Sequence, residues 1–346
     1  MKRKISGYIL AFLILLILVG IFYNRNLQEP EAHIMENLTV FLPGQEISAL
    51  FDDGEKLWVG TPEGVYLLDP ESGETLRKLD SDIEMIYAAA FAQTADKMIW
   101  AGHDKGLCAF DPDGTERFRM EAPEIPGGRV NALLVTEEGL IAGMQEGAVF
   151  LIKEGDHWTV QETYTTENGL IEEVVQVIVP VGEELWFGSY LAADQGGISI
   201  RKQDGWKYLS TQDGIQHRYI NAILPLSEEQ VLIGSGQMVY GGLCLAEKKE
   251  DHWEITRTWD AENGLPGMKV RYLFKDSLGR LWITTESDGV MVLDSPQRLF
   301  SMTDGKLEGT LIKQENGLAD NEVKCMEETA SCIWLGGKYG LTRYKK

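Results

Sequence analysis

Short apolar runs recur along this chain from Ile47 to the C-terminus, separated by turns rich in Gly, Asp, Asn and Pro. The clearest run is Leu57-Trp58-Val59-Gly60, and the chain repeats it. Ile99-Trp100-Ala101-Gly102, Leu140-Ile141-Ala142-Gly143, Leu185-Trp186-Phe187-Gly188, Leu232-Ile233-Gly234, Leu281-Trp282-Ile283-Thr284 and Ile333-Trp334-Leu335-Gly336 follow in order. The fourth position falls at 60, 102, 143, 188, 234, 284 and 336, so each step is 41 to 52 residues. A repeat of this length, built of several short strands, predicts a β-propeller with one blade per copy. The expectation is an all-β, seven-bladed propeller.

The first unit shows the predicted elements. Ile47 to Phe51 is apolar on both faces, as an innermost strand packed between neighbouring blades must be. Asp52-Asp53-Gly54 is a turn, Lys56 to Gly60 the second strand, Val65 to Leu68 the third and Thr75 to Leu79 the fourth. The Trp of the second strand recurs once per blade, which points to packing between blades. A second signature marks the crossing from one blade to the next: Asn168-Gly169-Leu170, Asp213-Gly214-Ile215, Asn263-Gly264-Leu265 and Asn316-Gly317-Leu318. Asn-Gly and Asp-Gly suit the positive φ of a tight turn. The last copy has room for three strands, while residues 38–42 form an unassigned strand-like run before the first. The reading is ring closure, with 38–42 supplying the outer strand of the last blade and leaving no open edge.

Ahead of the repeats, Lys2-Arg3-Lys4 precedes an uncharged stretch from Ile5 to Tyr23. Nineteen residues at about 1.5 Å each approach the roughly 30 Å hydrocarbon thickness. No small-x-small cleavage site follows, so the expectation is one uncleaved N-terminal transmembrane helix. The basic residues hold the N-terminus in the cytoplasm and put the rest outside. The organisation read is a cytoplasmic 1–4, an anchor 5–23 in the plasma membrane, a linker 24–36 and a propeller 37–346. The net charge of −22 repels phosphate backbones and excludes nucleic acid as a partner. Four cysteines are too few for a disulfide scaffold and show no zinc spacing. Cys325 and Cys332 flank a short turn, and a cross-strand disulfide is expected there if Met326 pairs with Ser331.

The run Asn316-Gly317-Leu318, Asn321-Glu322-Val323, Ile333-Trp334-Leu335-Gly336 and Gly340-Leu341 resembles the two-component regulator propeller repeat. So does Asn263-Gly264-Leu265 through Asp276-Ser277-Leu278-Gly279-Arg280-Leu281-Trp282 to Gly289-Val290. The resemblance covers about residues 45–346 and weakens in blades 2 and 3. It implies the propeller fold and a binding or sensing role, since such repeats form extracytoplasmic sensors of hybrid histidine kinases, often for carbohydrate. No output domain is read after the propeller, so any signal is expected to pass through a partner protein.

Candidate chemistry concentrates on the channel face. On the inner strands one column reads Ser48, Tyr87, Asn131, Gln176, Asn221, Arg271 and Lys324, polar positions in otherwise apolar strands. Arg271 and Lys324 are expected to form its cationic side, fit for a carboxylate or sulfate. The loops of the same face are expected to add His103, Arg129, Tyr190, His217, Arg218, Tyr219, Tyr240, Glu286, Asp288 and Tyr339. The leading reading is an anchored extracytoplasmic propeller that binds a small molecule, glycan or peptide, or a membrane signalling or assembly protein. No cofactor, metal or catalytic residue is assigned. Two further readings stand beside it. One is a metal-dependent lyase or hydrolase using His103 and His217 with Glu286 or Asp288. The other is an envelope assembly scaffold.

Overall fold

The computed structural model describes residues 34–86, 89–192, 195–300 and 306–346. The chain divides into two units, Met1–Met35 and Glu36–Lys346. The expected anchor at 5–23 and most of the linker lie outside the described residues. Among the described residues no helix is long and apolar enough to cross a membrane.

Among the described residues the strands form seven four-stranded antiparallel sheets. Blades 1 to 6 span 49–78, 90–121, 130–164, 175–209, 220–259 and 270–312, each with its strands in chain order. Blade 7 takes three strands from 323–345 and its outer strand from Leu38–Phe41, which pairs with Gly340–Lys345 in the register Leu38↔Tyr344. The ring therefore closes by the strand the sequence left over.

The repeated Trp fills the seam between blades. Trp58, Trp100, Trp186, Trp282 and Trp334 are fully buried. Trp100 meets Trp158 edge-on at 4.9 Å between ring centroids, Trp186 meets Trp253 at 4.8 Å, and Trp282 meets Tyr344 at 5.1 Å. A buried indole N–H needs an acceptor, and several blades supply a carboxylate: Asp53 for Trp58 at 2.7 Å and Asp276 for Trp282 at 2.9 Å. The crossing turns carry the expected left-handed glycines, with φ of 104° at Gly214, 104° at Gly264 and 118° at Gly317. Their Asn or Asp side chains cap the same turns, as when Asn263 Oδ1 accepts from Asp260 N–H at 2.7 Å.

Glu184 shows how much a seam carboxylate can hold. It accepts from Trp186 at 3.3 Å and Trp253 at 2.8 Å, and pairs with Lys202 at 3.0 Å and Lys248 at 3.1 Å. Burial by itself would raise its pKa; the donors, led by Trp253, outweigh burial and hold it below its ordinary 4.5. Its stabilisation is therefore present above the unfolded value and is lost as pH falls through the folded one. Glu184→Ala is expected to cost about 3 kcal/mol at pH 7 in denaturant unfolding, with the gap to wild type closing toward acid pH.

The register overturns the expected Cys325–Cys332 disulfide. Met326 pairs with Leu335 and Cys325 with Gly336, whereas the bond required Met326 opposite Ser331. This four-residue shift puts Cys332 about 13 Å along the strand from the place facing Cys325, beyond the roughly 7 Å that a disulfide spans between Cα atoms. Both are buried free thiols.

Candidate functional site

A cavity of about 570 Å³ occupies the central channel, lined by the innermost strands of all seven blades. Ser48, Asn131, Gln176, Asn221, Arg271 and Lys324 line it together, as the polar column requires. The backbone explains why they do. In blades 3 to 7 the pairing of inner and second strand skips one residue, between Val130 and Ala132, Val175 and Val177, Ile220 and Ala222, Val270 and Tyr272, and Val323 and Cys325. The skipped residue is the column residue each time. A bulge inserts one unpaired residue and re-aims its side chain, so the polar group turns into the channel while its neighbours keep their packing.

Blade 2 corrects the column. Ala90 pairs with Gly102 just as Ala49 pairs with Gly60, so Ala89 is the equivalent of Ser48 and lines the channel. Tyr87 falls two positions earlier and lies outside the described residues.

That earlier position forms a second ring, of which the sequence reading marked Arg129 and Tyr219 as loop residues and missed the others. Two residues before the column stand Glu46, Arg129, Val174, Tyr219, Lys269 and Glu322. Period-2 alternation was the signal that would have found it. Its charges change the chemistry of the mouth. Lys324 pairs with Glu46 at 2.7 Å and Glu322 at 3.7 Å; Arg271 pairs with Glu322 at 3.3 Å and Glu286 at 3.4 Å; Lys269 pairs with Glu286 at 2.8 Å. Three cations meet three carboxylates in one chain of contacts. The expected cationic side of the channel is thus internally neutralised. Burial of Glu286 would raise its pKa, but Arg271 and then Lys269 outweigh burial and keep it below its ordinary value.

The amides are held differently. Asn131 Nδ2 donates to Val175 O at 3.0 Å and Asn221 Nδ2 to Gly236 O at 3.1 Å, leaving each Oδ1 as an acceptor. Arg129 lines the channel and pairs with Asp104 at 3.0 Å. Tyr190 lines it too, with its hydroxyl 3.5 Å from Lys269 Nζ. Gln145 and Leu191, which the sequence did not mark, complete this rim.

The remaining loop residues go elsewhere. His217 and Arg218 line a separate crevice beside blades 4 and 5. Tyr240 and Tyr339 are exposed and line neither cavity. His103 is 1% exposed; its Nδ1 accepts from Lys105 N–H at 3.3 Å, and burial, then Arg119, lowers its pKa. Among the described residues no group of three or more His, Cys, Asp or Glu side chains could hold a metal, so His103, His217, Glu286 and Asp288 are not gathered into a centre.

Residues 264–287 match the family model described as two component regulator propeller, within the stretch whose motifs carry the resemblance. No curated protein matches the chain. Among solved structures the chain is similar to the extracellular domain assigned to a hybrid two-component system, BT3049 of B. thetaiotaomicron, with a TM-score of 0.70 at 18% identity, covering 92% of this chain and 40% of that one. The extracellular domain assigned to a one-component system, BT4673 of the same organism, gives 0.66 at 16%, covering 90% and 40%. PorZ, a surface component of the type-IX secretion system of Porphyromonas gingivalis, gives 0.60 at 14%, covering 87% and 46%. The chain thus spans about two-fifths of the length of the BT3049 and BT4673 domains. At these identities the likeness establishes the seven-bladed fold.

Proposed function

We propose that this chain is a receptor propeller, tethered outside the plasma membrane by residues 5–23, that binds a neutral, hydroxyl-rich or amide-rich ligand at its channel mouth and passes the signal to a partner protein. The observation that carries this reading is the channel mouth itself. Its charges are spent on one another, while Asn131 and Asn221 each keep the carboxamide oxygen as an acceptor and Gln176 lines the same cavity as Tyr190. Such a surface rewards ligand hydroxyl and amide donors rather than a net charge. The cavity of about 570 Å³ fits a disaccharide or a short peptide. The resemblance to sensor propellers supports the same role.

The test is a thermal-shift screen of the full-length protein in detergent against oligosaccharides, cell-wall fragments and peptides. A ligand at a hundredfold excess over its Kd adds about 2.7 kcal/mol of stability. The expected result is a shift that Gln176→Ala and Asn221→Ala each reduce. A panel without any shift, or a shift indifferent to both variants, contradicts the reading.

One observation favours a second reading, a protein-docking scaffold. The second and third strands of blade 5 run on past those of the other blades, to Gln237 and from Tyr240. Met238, Val239 and Tyr240 at this tip are 76%, 69% and 70% exposed. Leu191 of the preceding blade is exposed as well. An apolar tip of this kind is costly to leave in water and is a common mark of a protein contact. Cross-linking from position 239 in membranes that returned one stable partner would favour it over the ligand receptor.

A further inference from the structure

The crevice beside the channel has a different chemistry from the channel, and nothing in the channel reading uses it. It has a volume of about 840 Å³ and draws on the crossings between blades 3 and 4 and between blades 4 and 5, and on the blade 4 loop at Gln195 and Gly196. Tyr190, Tyr219 and His217 stand in a row between the two cavities, with ring centroids 5.1 Å and 4.7 Å apart.

Donors dominate the crevice. Arg218 lies over the Tyr219 ring at 5.6 Å, and among the described residues no carboxylate pairs with it. This contrasts with Lys269, Arg271 and Lys324, each paired inside the channel. His217 Nδ1 accepts the Tyr219 backbone N–H at 3.0 Å, which places the proton of the neutral ring on Nε2 and makes that nitrogen a donor. Burial, then Arg218 and Lys269, lowers the pKa of His217, so the neutral form persists at neutral pH. Gln195, Gln212 and the Thr211 hydroxyl complete the lining with Tyr208 as an aromatic wall. Two carboxylates of the same loops are held by backbone donors. Glu173 accepts from Thr166 N–H at 3.0 Å, and Asp213 accepts from Ser210 N–H at 2.8 Å.

We propose that this crevice is a second ligand site that takes an organic carboxylate, gripped by the Arg218 guanidinium and His217 Nε2–H, with the body of the ligand hydrogen-bonded by Gln195, Gln212 and Thr211. A planar guanidinium matches a carboxylate with two parallel bonds. A half-buried cation in a chain of net charge −22, with no carboxylate partner among the described residues, is set to receive one from a ligand. The carboxylate can come from a peptide C-terminus or from an acidic sugar, and the recognition chemistry is the same.

Isothermal titration of the full-length protein in detergent tests this with two acids and their neutral counterparts: tri-alanine against its C-terminal amide, and galacturonate against galactose. The expected result is that at least one acid binds and its neutral counterpart binds at least about tenfold more weakly. Arg218→Gln is expected to weaken that acid roughly 10- to 100-fold, with Arg218→Lys in between, while Arg271→Gln leaves it unchanged. Which acid binds tells the source of the carboxylate. The proposal is overturned by equal binding of acid and neutral forms, by no binding of either acid at about 10 mM, by indifference to Arg218→Gln, or by loss on Arg271→Gln instead. The channel reading stands or falls separately, on Gln176 and Asn221.

Discussion

Replacing Glu327 by Leu is expected to raise the stability of this protein at pH 8. Glu327 lies on the inner strand of blade 7, opposite Trp334. The position opposite the seam Trp or its replacement is apolar in every other blade: Phe51, Ala92, Leu134, Val179, Leu224 and Phe274. Blade 7 alone puts a carboxyl group there. Burial pushes its pKa up to about 7, and the nearby charges of Asp52 and Glu328 add to the rise; the Glu328 N–H, its one backbone donor, opposes it. The folded value is above the unfolded 4.5, so folding holds the proton more tightly than the unfolded chain does. Stability then declines as pH rises from about 4.5 to 7, and above that the folded state carries the whole penalty, on the order of 3 kcal/mol. Glu327→Leu removes the charge and restores the pattern of the other six blades. The melting temperature at pH 8 is expected to rise by about 5 °C, with little change at pH 5, and Glu327→Gln is expected to recover a smaller part of the gain. A melting curve for Glu327→Leu that is lower than wild type at pH 8 would show that this carboxylate has a partner that the fold depends on.

The second large effect concerns ring closure. Phe41 ends the N-terminal strand that completes blade 7, facing Leu341. Its ring lies 5.4 Å from that of Trp334, and the Arg343 guanidinium covers it at 5.1 Å. Arg343 reaches on to the carbonyl oxygens of Glu71 at 2.6 Å and Ser72 at 2.9 Å in the turn of blade 1. In the same turn Gly73 has φ of 78°, and a Cβ there would stand 2.5 Å from the Phe41 ring. Phe41 thus clasps the first blade to the last. Phe41→Ala is expected to cost about 3 kcal/mol, and Phe41→Leu about 1 kcal/mol. Hydrogen exchange should show where the cost falls. Protection is expected to drop in blade 7 and the outer turn of blade 1 while blades 3 to 5 keep theirs. Uniform loss of protection across all seven blades would mean that the ring does not open at this seam.

How far the sequence disclosed all this depends on what each feature rests on. The seven blades were legible because Trp58, Trp100, Trp186, Trp282 and Trp334 solve one packing problem repeatedly, and a packing solution leaves a periodic trace. Closure was legible because Leu38 to Phe41 was a strand without a blade. The channel column could be read in blades 3 to 7, where one polar residue interrupts an apolar strand. In blade 2 the run Tyr87-Ala88-Ala89-Ala90 carries no such interruption, and the only conspicuous side chain drew the alignment two residues off. The neutrality of the mouth was hidden for another reason. Residue type shows that Arg271 and Lys324 are cations, but only the register shows that Glu46, Glu322 and Glu286 reach them. The crevice holding Arg218 depends on the shapes of three loops, and no period records a loop's shape. Cys325 and Cys332 looked pairable because a turn of four residues fits between Met326 and Ser331; the strands instead pair as far as Glu328 and Ile333, which moves the four-residue turn on to 329–332 and carries Cys332 away from Cys325.

The central claim is that the channel mouth is a neutral hydrogen-bonding receptor, and salt separates that from a cationic one. The direct measurement is calorimetric titration of the full-length protein with the strongest ligand from the screen, in dilute and in roughly 0.5 M salt, for wild type and for the Gln176→Ala/Asn221→Ala double variant. Exposed charge recognition is screened within about 5 Å at such salt, whereas neutral hydrogen bonds are not. The expected result is a Kd that changes less than about twofold with salt and weakens at least about tenfold in the double variant. A Kd that collapses with salt, or that ignores the double variant, would contradict the account.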